Sequence, residues 1–257
     1  YHSYHTIINQ VIDIIISSED CLKDSRVLNK LVSLLASIES TEKVAIALNH
    51  CIAEYGIEMI SKELNIEIMN IALPIALVTS KPSVRNILFA LLSNIVAHEE
   101  YAIELLNNPR VCEDFNIIDN NDSNDKNDIK TIKPSSSYYL NKAIQLFTQH
   151  NPQIEIPLTD LQNKNENKSN AIDYNISDST QHIGHFLCNC CRLEQARKTL
   201  LKQSNAFMTP LIQQIRSNNP TRRSGAVNTI RCLLFDTSVH WYMVVELNLM
   251  KTLLIYK

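Results

Sequence analysis

The chain aligns with itself, and this repeat constrains its fold more than any other feature. ALNHCIAE places Asn49 five residues before Glu54, LLSNIVAHE places Asn94 five before Glu99, and FLCNCCRLE places Asn189 five before Glu194. A fourth copy, TIRCLLFD, carries Cys232 at the Asn position and Asp236 near the acid. The anchors are spaced by 45, 95 and 43 residues, so the long interval holds two periods, or one period and an insertion. Pro82 and Pro220 each stand 12 residues before an anchor. Proline is tolerated in the first helical turn, where its missing N–H would be unpaired anyway. Asp178, 11 residues before Asn189, is read as the cap of the third copy. New amphipathic segments are expected to begin about eight residues after each anchor, at Ile57, Ala102, Arg197 and His240.

The repeating unit is helical. Ile7, Ile8, Val11, Ile12 and Ile15 share one face at 3.6-residue period. So do Leu28, Leu31, Leu35 and Ile38, and then Val44, Leu48, Cys51 and Ile52. Three glycines in 257 residues exclude a GxGxxG fingerprint or a Walker A loop and argue against hairpin-rich β folds. A helical period of this length points to the armadillo/HEAT class, in which units that cannot bury their apolar faces alone stack into a continuous core. The predicted fold is therefore all-α, an armadillo/HEAT-like superhelix forming a single domain over 1–257. It is expected to be a right-handed stack of at least four repeats without β-sheet.

Two stretches break the pattern. Residues 116–137 and 151–177 are rich in Asn, Asp and Lys, too polar to offset the entropy of ordering, and are read as disordered insertions flanking a helix over 138–150. The net charge of -3 argues against general nucleic-acid binding. No apolar run approaches the roughly 20 residues of a membrane span, and the start lacks the pattern of a signal peptide. A first residue of Tyr suggests a fragment or a trimmed chain. The seven cysteines are read as reduced core thiols of an intracellular protein.

In the last repeat, Ala226, Val227, Ile230, Leu233 and Leu234 form the predicted buried stripe. Ser224, Asn228 and Arg231 fall on a separate polar stripe. Gly225, costly inside a helix by about 1 kcal/mol, is expected to admit a neighbouring helix at close range. The segment RRSGAVNTIRCLLFDTSVHWYMV resembles the signature of the HGH-one family, armadillo-type eukaryotic proteins also called brain protein 16-like. The matching positions are Arg222, Arg223, Gly225, Thr229, Ile230, Arg231, Phe235, Asp236 and His240. LLSNIVAHEEYAIELL and HFLCNCCRLEQARKTLL resemble the family's upstream helices, so the resemblance runs roughly from Ile46 to Met250. Cys232 departs from the family, which has Asn there, and the family's C-terminal region is missing from this chain.

The resemblance implies a cytoplasmic, non-enzymatic chaperone or adaptor. In that family the client is newly made eukaryotic elongation factor 2 and the associate is the cytosolic ring chaperonin; for this chain no cofactor, metal, nucleic acid or membrane partner is expected. The alternative is a general armadillo scaffold or an importin-like peptide carrier. That reading is weakened by the lack of a Trp one turn before each ladder Asn, since the only Trp is Trp241. Candidate partner-binding residues are Asn49, Asn94, Asn189, Arg222, Arg223, Ser224, Asn228, Arg231, Asp236 and His240. An Asn can donate to and accept from a peptide group at once, but the same amide can instead tie adjacent helices together. Guanidinium groups suit carboxylates. His182-Ile-Gly-His185 spells a class I aminoacyl-tRNA synthetase signature without the strand or sheet that motif needs. His182, His185 and Cys188 are one ligand short of a zinc site. Cys188, Cys190 and Cys191 lack redox-motif spacing, and His240 beside Trp241 has no nucleophile nearby.

Overall fold

A computed structural model of the protein describes residues 2–107, 136–149, 178–202 and 204–254. Apart from Ser136 and Ser137, which open the helix over 136–149, the two Asn-rich stretches lie outside the described residues, as does Cys112. Thirteen α-helices are described: α1 (His2–Ser17), α2 (Glu19–Lys23), α3 (Ser25–Leu35), α4 (Thr41–Tyr55), α5 (Lys62–Val78), α6 (Pro82–Val96), α7 (Glu99–Asn107), α8 (Ser136–Gln149), α9 (Ile183–Cys191), α10 (Glu194–Leu201), α11 (Ser204–Gln213), α12 (Pro220–Leu233) and α13 (Leu249–Leu254). No strand occurs among the described residues.

Local chemistry sets several boundaries. Pro82 and Pro220 open α6 and α12 as the repeat predicts, and the Asn219 side chain caps α12 by accepting from the backbone N–H of Thr221. Gly56 ends α4 at φ 87°, a left-handed conformation that favours glycine. The segments after the anchors differ in detail. A 3₁₀ turn, Ile57–Met59, precedes α5, whereas α7 and α10 begin directly at Glu99 and Glu194. After the fourth anchor the chain makes a 3₁₀ turn, Thr237–Val239, and then a π-helical stretch, Tyr242–Glu246.

The four anchors lie on α4, α6, α9 and α12, and these helices pack in succession, α4 on α6, α6 on α9 and α9 on α12. A second row follows the same order, α3 on α5, α5 on α8 and α8 on α11. The rows meet pairwise, α3 with α4, α5 with α6, α8 with α9 and α11 with α12. The core runs between them. Val44, Leu48, Cys51 and Ile52 are buried as predicted, and the Phe89 and Phe186 rings meet edge to face at 5.6 Å between centroids, joining α6 to α9.

Some predicted core positions are not covered. Ile7, Val11 and Ile38 are exposed: α1 packs on the core through Ile12, with Ile8, Ile15 and Ile16 half-buried beside it, and α3 ends at Leu35 before Ile38 is reached. Ile7 and Val11 line an apolar groove of about 600 Å³ between α1 and α3. No helix of the described residues is long and apolar enough to cross a membrane. Cys51, Cys190, Cys191 and Cys232 are buried free thiols, while Cys21 and Cys188 are half-buried.

Candidate partner-binding surface

The Asn ladder joins helices. The amide of Asn94 donates to Oδ1 of Asn49 at 2.9 Å, bonding α6 to α4 one period apart. The amide of Asn189 donates to the backbone carbonyl of Ser93 at 2.9 Å, bonding α9 to α6. All three residues are half-buried. Of the two uses an Asn offers here, the tie between helices is the one made. The Asn49 amide and the Asn94 carbonyl oxygen have no hydrogen-bond partner among the described residues, so part of the ladder's bonding capacity is uncommitted.

At the fourth position the interaction changes character. Gly184 of α9 faces Gly225 of α12 so closely that a Cβ on Gly225 would lie 2.8 Å from Gly184 Cα, inside any real contact. This is the close approach expected of Gly225, and its partner is also a glycine. Thr229 Oγ1 donates to the carbonyls of Gly184 at 2.9 Å and of its own-helix Gly225 at 2.8 Å, fastening the crossing.

Arg222, expected to hold a client carboxylate, is fully buried. Its guanidinium bonds both carboxylate oxygens of Asp178, the Asp178 Oδ1 contact at 2.7 Å. It also donates to the Phe147 carbonyl at 2.7 Å, to Gln214 Oε1 at 2.8 Å and to Thr180 Oγ1. Its Cζ lies 4.7 Å from the centroid of the Phe147 ring. The positive charge is thus spent on tying α8, the segment before α9 and α12 together, and no partner can reach it. Burial alone would raise the Asp178 carboxyl, but the bonds and charge of Arg222 outweigh it and hold the group below its ordinary range. Asp178 therefore does not cap α9, which starts five residues later; it caps the turn at Thr180, accepting from the Thr180 N–H at 3.0 Å.

The burial of Arg222 and Thr229 turns α12 away from the predicted orientation. Its buried residues are Arg222, Gly225, Ala226, Thr229, Ile230, Cys232 and Leu233, while Val227 is exposed and Leu234 half-buried. Two polar residues at the centre of the buried arc misled an apolar count. Gly184 and Thr180 were not singled out by the sequence, and Asp178 was read there as a helix cap and not as the partner of Arg222. Their only signal was spacing, since Asp178 and Arg222 lie 44 residues apart and Gly184 and Thr229 lie 45 apart, both one repeat period.

The remaining candidates lie at or near the surface. Arg223 is half-buried and donates to the Ser217 carbonyl at 2.7 Å. Ser224 and Arg231 are exposed, with Asn228 half-buried between them and its amide 3.4 Å from Ser224 Oγ. Arg231 has no ion-pair or hydrogen-bond partner among the described residues. Asp236 accepts from Ser238 N–H at 3.0 Å and Oγ at 2.6 Å and so caps the following turn. His240 Nε2, 2.6 Å from the Leu234 carbonyl, closes the same corner. Among the candidates on α12, Ser224, Asn228 and Arg231 are the ones that neither are fully buried nor bond another segment of the described residues. His182 immediately precedes α9 and His185 lies in its first turn, and no cluster of three or more His, Cys, Asp or Glu among the described residues could hold a metal.

Comparison with known proteins gives two matches. The family model described as "Domain of unknown function (DUF383)" matches residues 76–256. Protein HGH1 homolog of Xenopus tropicalis is 29% identical over 86 residues, which is 33% of this chain and 24% of that protein. The aligned part thus spans about a quarter of that relative's length. No solved structure matches. With the matched region running from the end of α5 through α13 and so containing three of the four ladder helices, the chain belongs to the DUF383 family, the family of the HGH1 proteins.

Proposed function

We propose that this protein is a non-enzymatic, client-specific chaperone or adaptor that holds newly made eukaryotic elongation factor 2 and links it to the ring-shaped chaperonin of the cytosol. The observation carrying this reading is the family membership, joined to the signature stretch around α12 that the family's chaperone role accompanies. The succession of paired helices supports an armadillo-type superhelix as the scaffold, because each pair leaves an apolar face for the next to cover. The client surface is the stripe Ser224, Asn228 and Arg231, whose polar groups face solvent beside the exposed Val227. The importin-like alternative is less well supported. Ladder amides that would bond an extended peptide are engaged with neighbouring helices at Asn94 and Asn189.

The test is capture of elongation factor 2 as it emerges from cell-free translation, using the tagged chain. Asn228→Ala with Arg231→Ala should reduce capture at least tenfold, since truncating a desolvated charged contact costs about 2–5 kcal/mol. The thermal midpoint should barely move, because exposed substitutions stay within about 0.5 kcal/mol. Unfolding of the double variant would make these residues structural, and undiminished capture would clear this face. Failure of the unaltered chain to capture the factor would reject the client.

A further inference from the structure

Outside the surface just described, two thiols stand opposed across the α9–α12 contact. Cys188 Sγ and Cys232 Sγ are 3.7 Å apart, 44 residues apart in sequence and one period apart in the repeat. Cys188 sits one turn beyond Gly184 and Cys232 two turns beyond Gly225. The glycine crossing that brings the helix backbones together is therefore what brings the sulfurs within reach. Sulfur atoms of a disulfide are about 2.05 Å apart, so closing the bond asks for a shift of less than 2 Å shared between two side chains. Cys188 is half-exposed and gives a small oxidant access to a pair that is otherwise enclosed.

We infer that Cys188 and Cys232 form a reversible oxidation site, a hydroperoxide-driven disulfide that staples α9 to α12. The chemistry divides between them. The hydrogen bond between the two thiols, together with the guanidinium charges of Arg231, Arg197 and Arg192, brings Cys232 down to about 7, whereas the same hydrogen bond and burial push Cys188 well up. Cys232 is the nucleophile. Its thiolate attacks one peroxide oxygen, the O–O bond breaks, and Cys232 becomes a sulfenic acid while the departing oxygen takes a proton. The Cys188 sulfur then attacks the Cys232 sulfur. The S–S bond forms, the S–O bond breaks, and hydroxide leaves as water with the Cys188 proton. Two thiols are oxidised and one peroxide is reduced, to two waters when the oxidant is hydrogen peroxide. A thiol supplied in solution reverses the bond by exchange. Because Cys232 lies on α12 between Asn228 and Asp236, the staple fixes the helix that carries the open polar stripe.

The experiment treats the full chain with a small excess of hydrogen peroxide, blocks remaining thiols, and maps peptides without reduction. The expected product is a monomer lighter by two hydrogens, with the Cys188 peptide linked to the Cys232 peptide, restored by dithiothreitol and showing a thermal midpoint several degrees higher when oxidised. Cys188→Ser should instead leave Cys232 trapped as a sulfenic acid, detectable with dimedone, and Cys232→Ser should lose peroxide reactivity at Cys188. Linkage of any other pair, cross-links between two copies, or oxidation of Cys232 to sulfinic acid in the unaltered chain without linkage would overturn the inference. The unaltered chain decides the question even where a serine variant folds poorly.

Discussion

Replacing Arg222 with Ala should destabilise the protein more than any other single change at the positions first read as partner-binding. The substitution removes five hydrogen-bond contacts from a fully buried guanidinium and leaves Asp178, whose side chain is 9% exposed, without its cation. Breaking a buried pair by removing one partner costs about 3–5 kcal/mol, because the stranded charge remains. In a chain of this size that corresponds to a midpoint drop of roughly 6–20 °C.

The pH dependence follows from the direction of the Asp178 shift. In the native protein the carboxyl is held below its ordinary range, so its stabilising contribution is present above about pH 4 and is lost as pH falls through the lowered folded value. In Arg222→Ala, burial, the largest influence, is opposed only by the bonds from Thr180 and raises the same carboxyl. The penalty is then greatest near neutrality and shrinks on acidification, as the stranded group takes up a proton. Urea unfolding of both proteins between pH 7 and pH 4 should therefore show a gap that narrows toward acid. Adding Asp178→Asn to Arg222→Met should recover much of the loss, since a polar or apolar pair leaves no isolated charge. A gap below about 1 kcal/mol at pH 7, or one independent of pH, would refute the buried pair and return Arg222 to the list of residues a client could reach.

Gly225→Ala should lower stability by about 1–3 kcal/mol in urea, because its Cβ would meet backbone rather than a yielding side chain; a neutral result would mean that α9 and α12 are not in close contact. Asn189→Ala should cost about 1 kcal/mol by loss of the bond to Ser93. Unchanged stability with client capture abolished would assign this amide to the partner instead.

The sequence by itself determined the helices, the period and the residues that fill the core of α4. A 3.6-residue apolar period and prolines at fixed offsets are local properties that survive without knowledge of neighbours. Gly225 was legible as a close approach because glycine inside a helix has a cost that only proximity explains. The partner of that approach was not legible, and neither was the direction in which α12 turns. Arg222 and Thr229 count as surface residues by composition, and become interior ones only because Asp178, Thr180, Gln214, the Phe147 carbonyl and the Gly184 carbonyl arrive from other segments to satisfy them. The same holds for the ladder. Sequence could say that an Asn recurs, but whether its amide meets a visiting peptide or the next helix depends on a separation that only packing sets, and for Asn94 and Asn189 the next helix is 2.9 Å away. Polar side chains carry bonding capacity in the sequence, and the tertiary structure decides where it is spent.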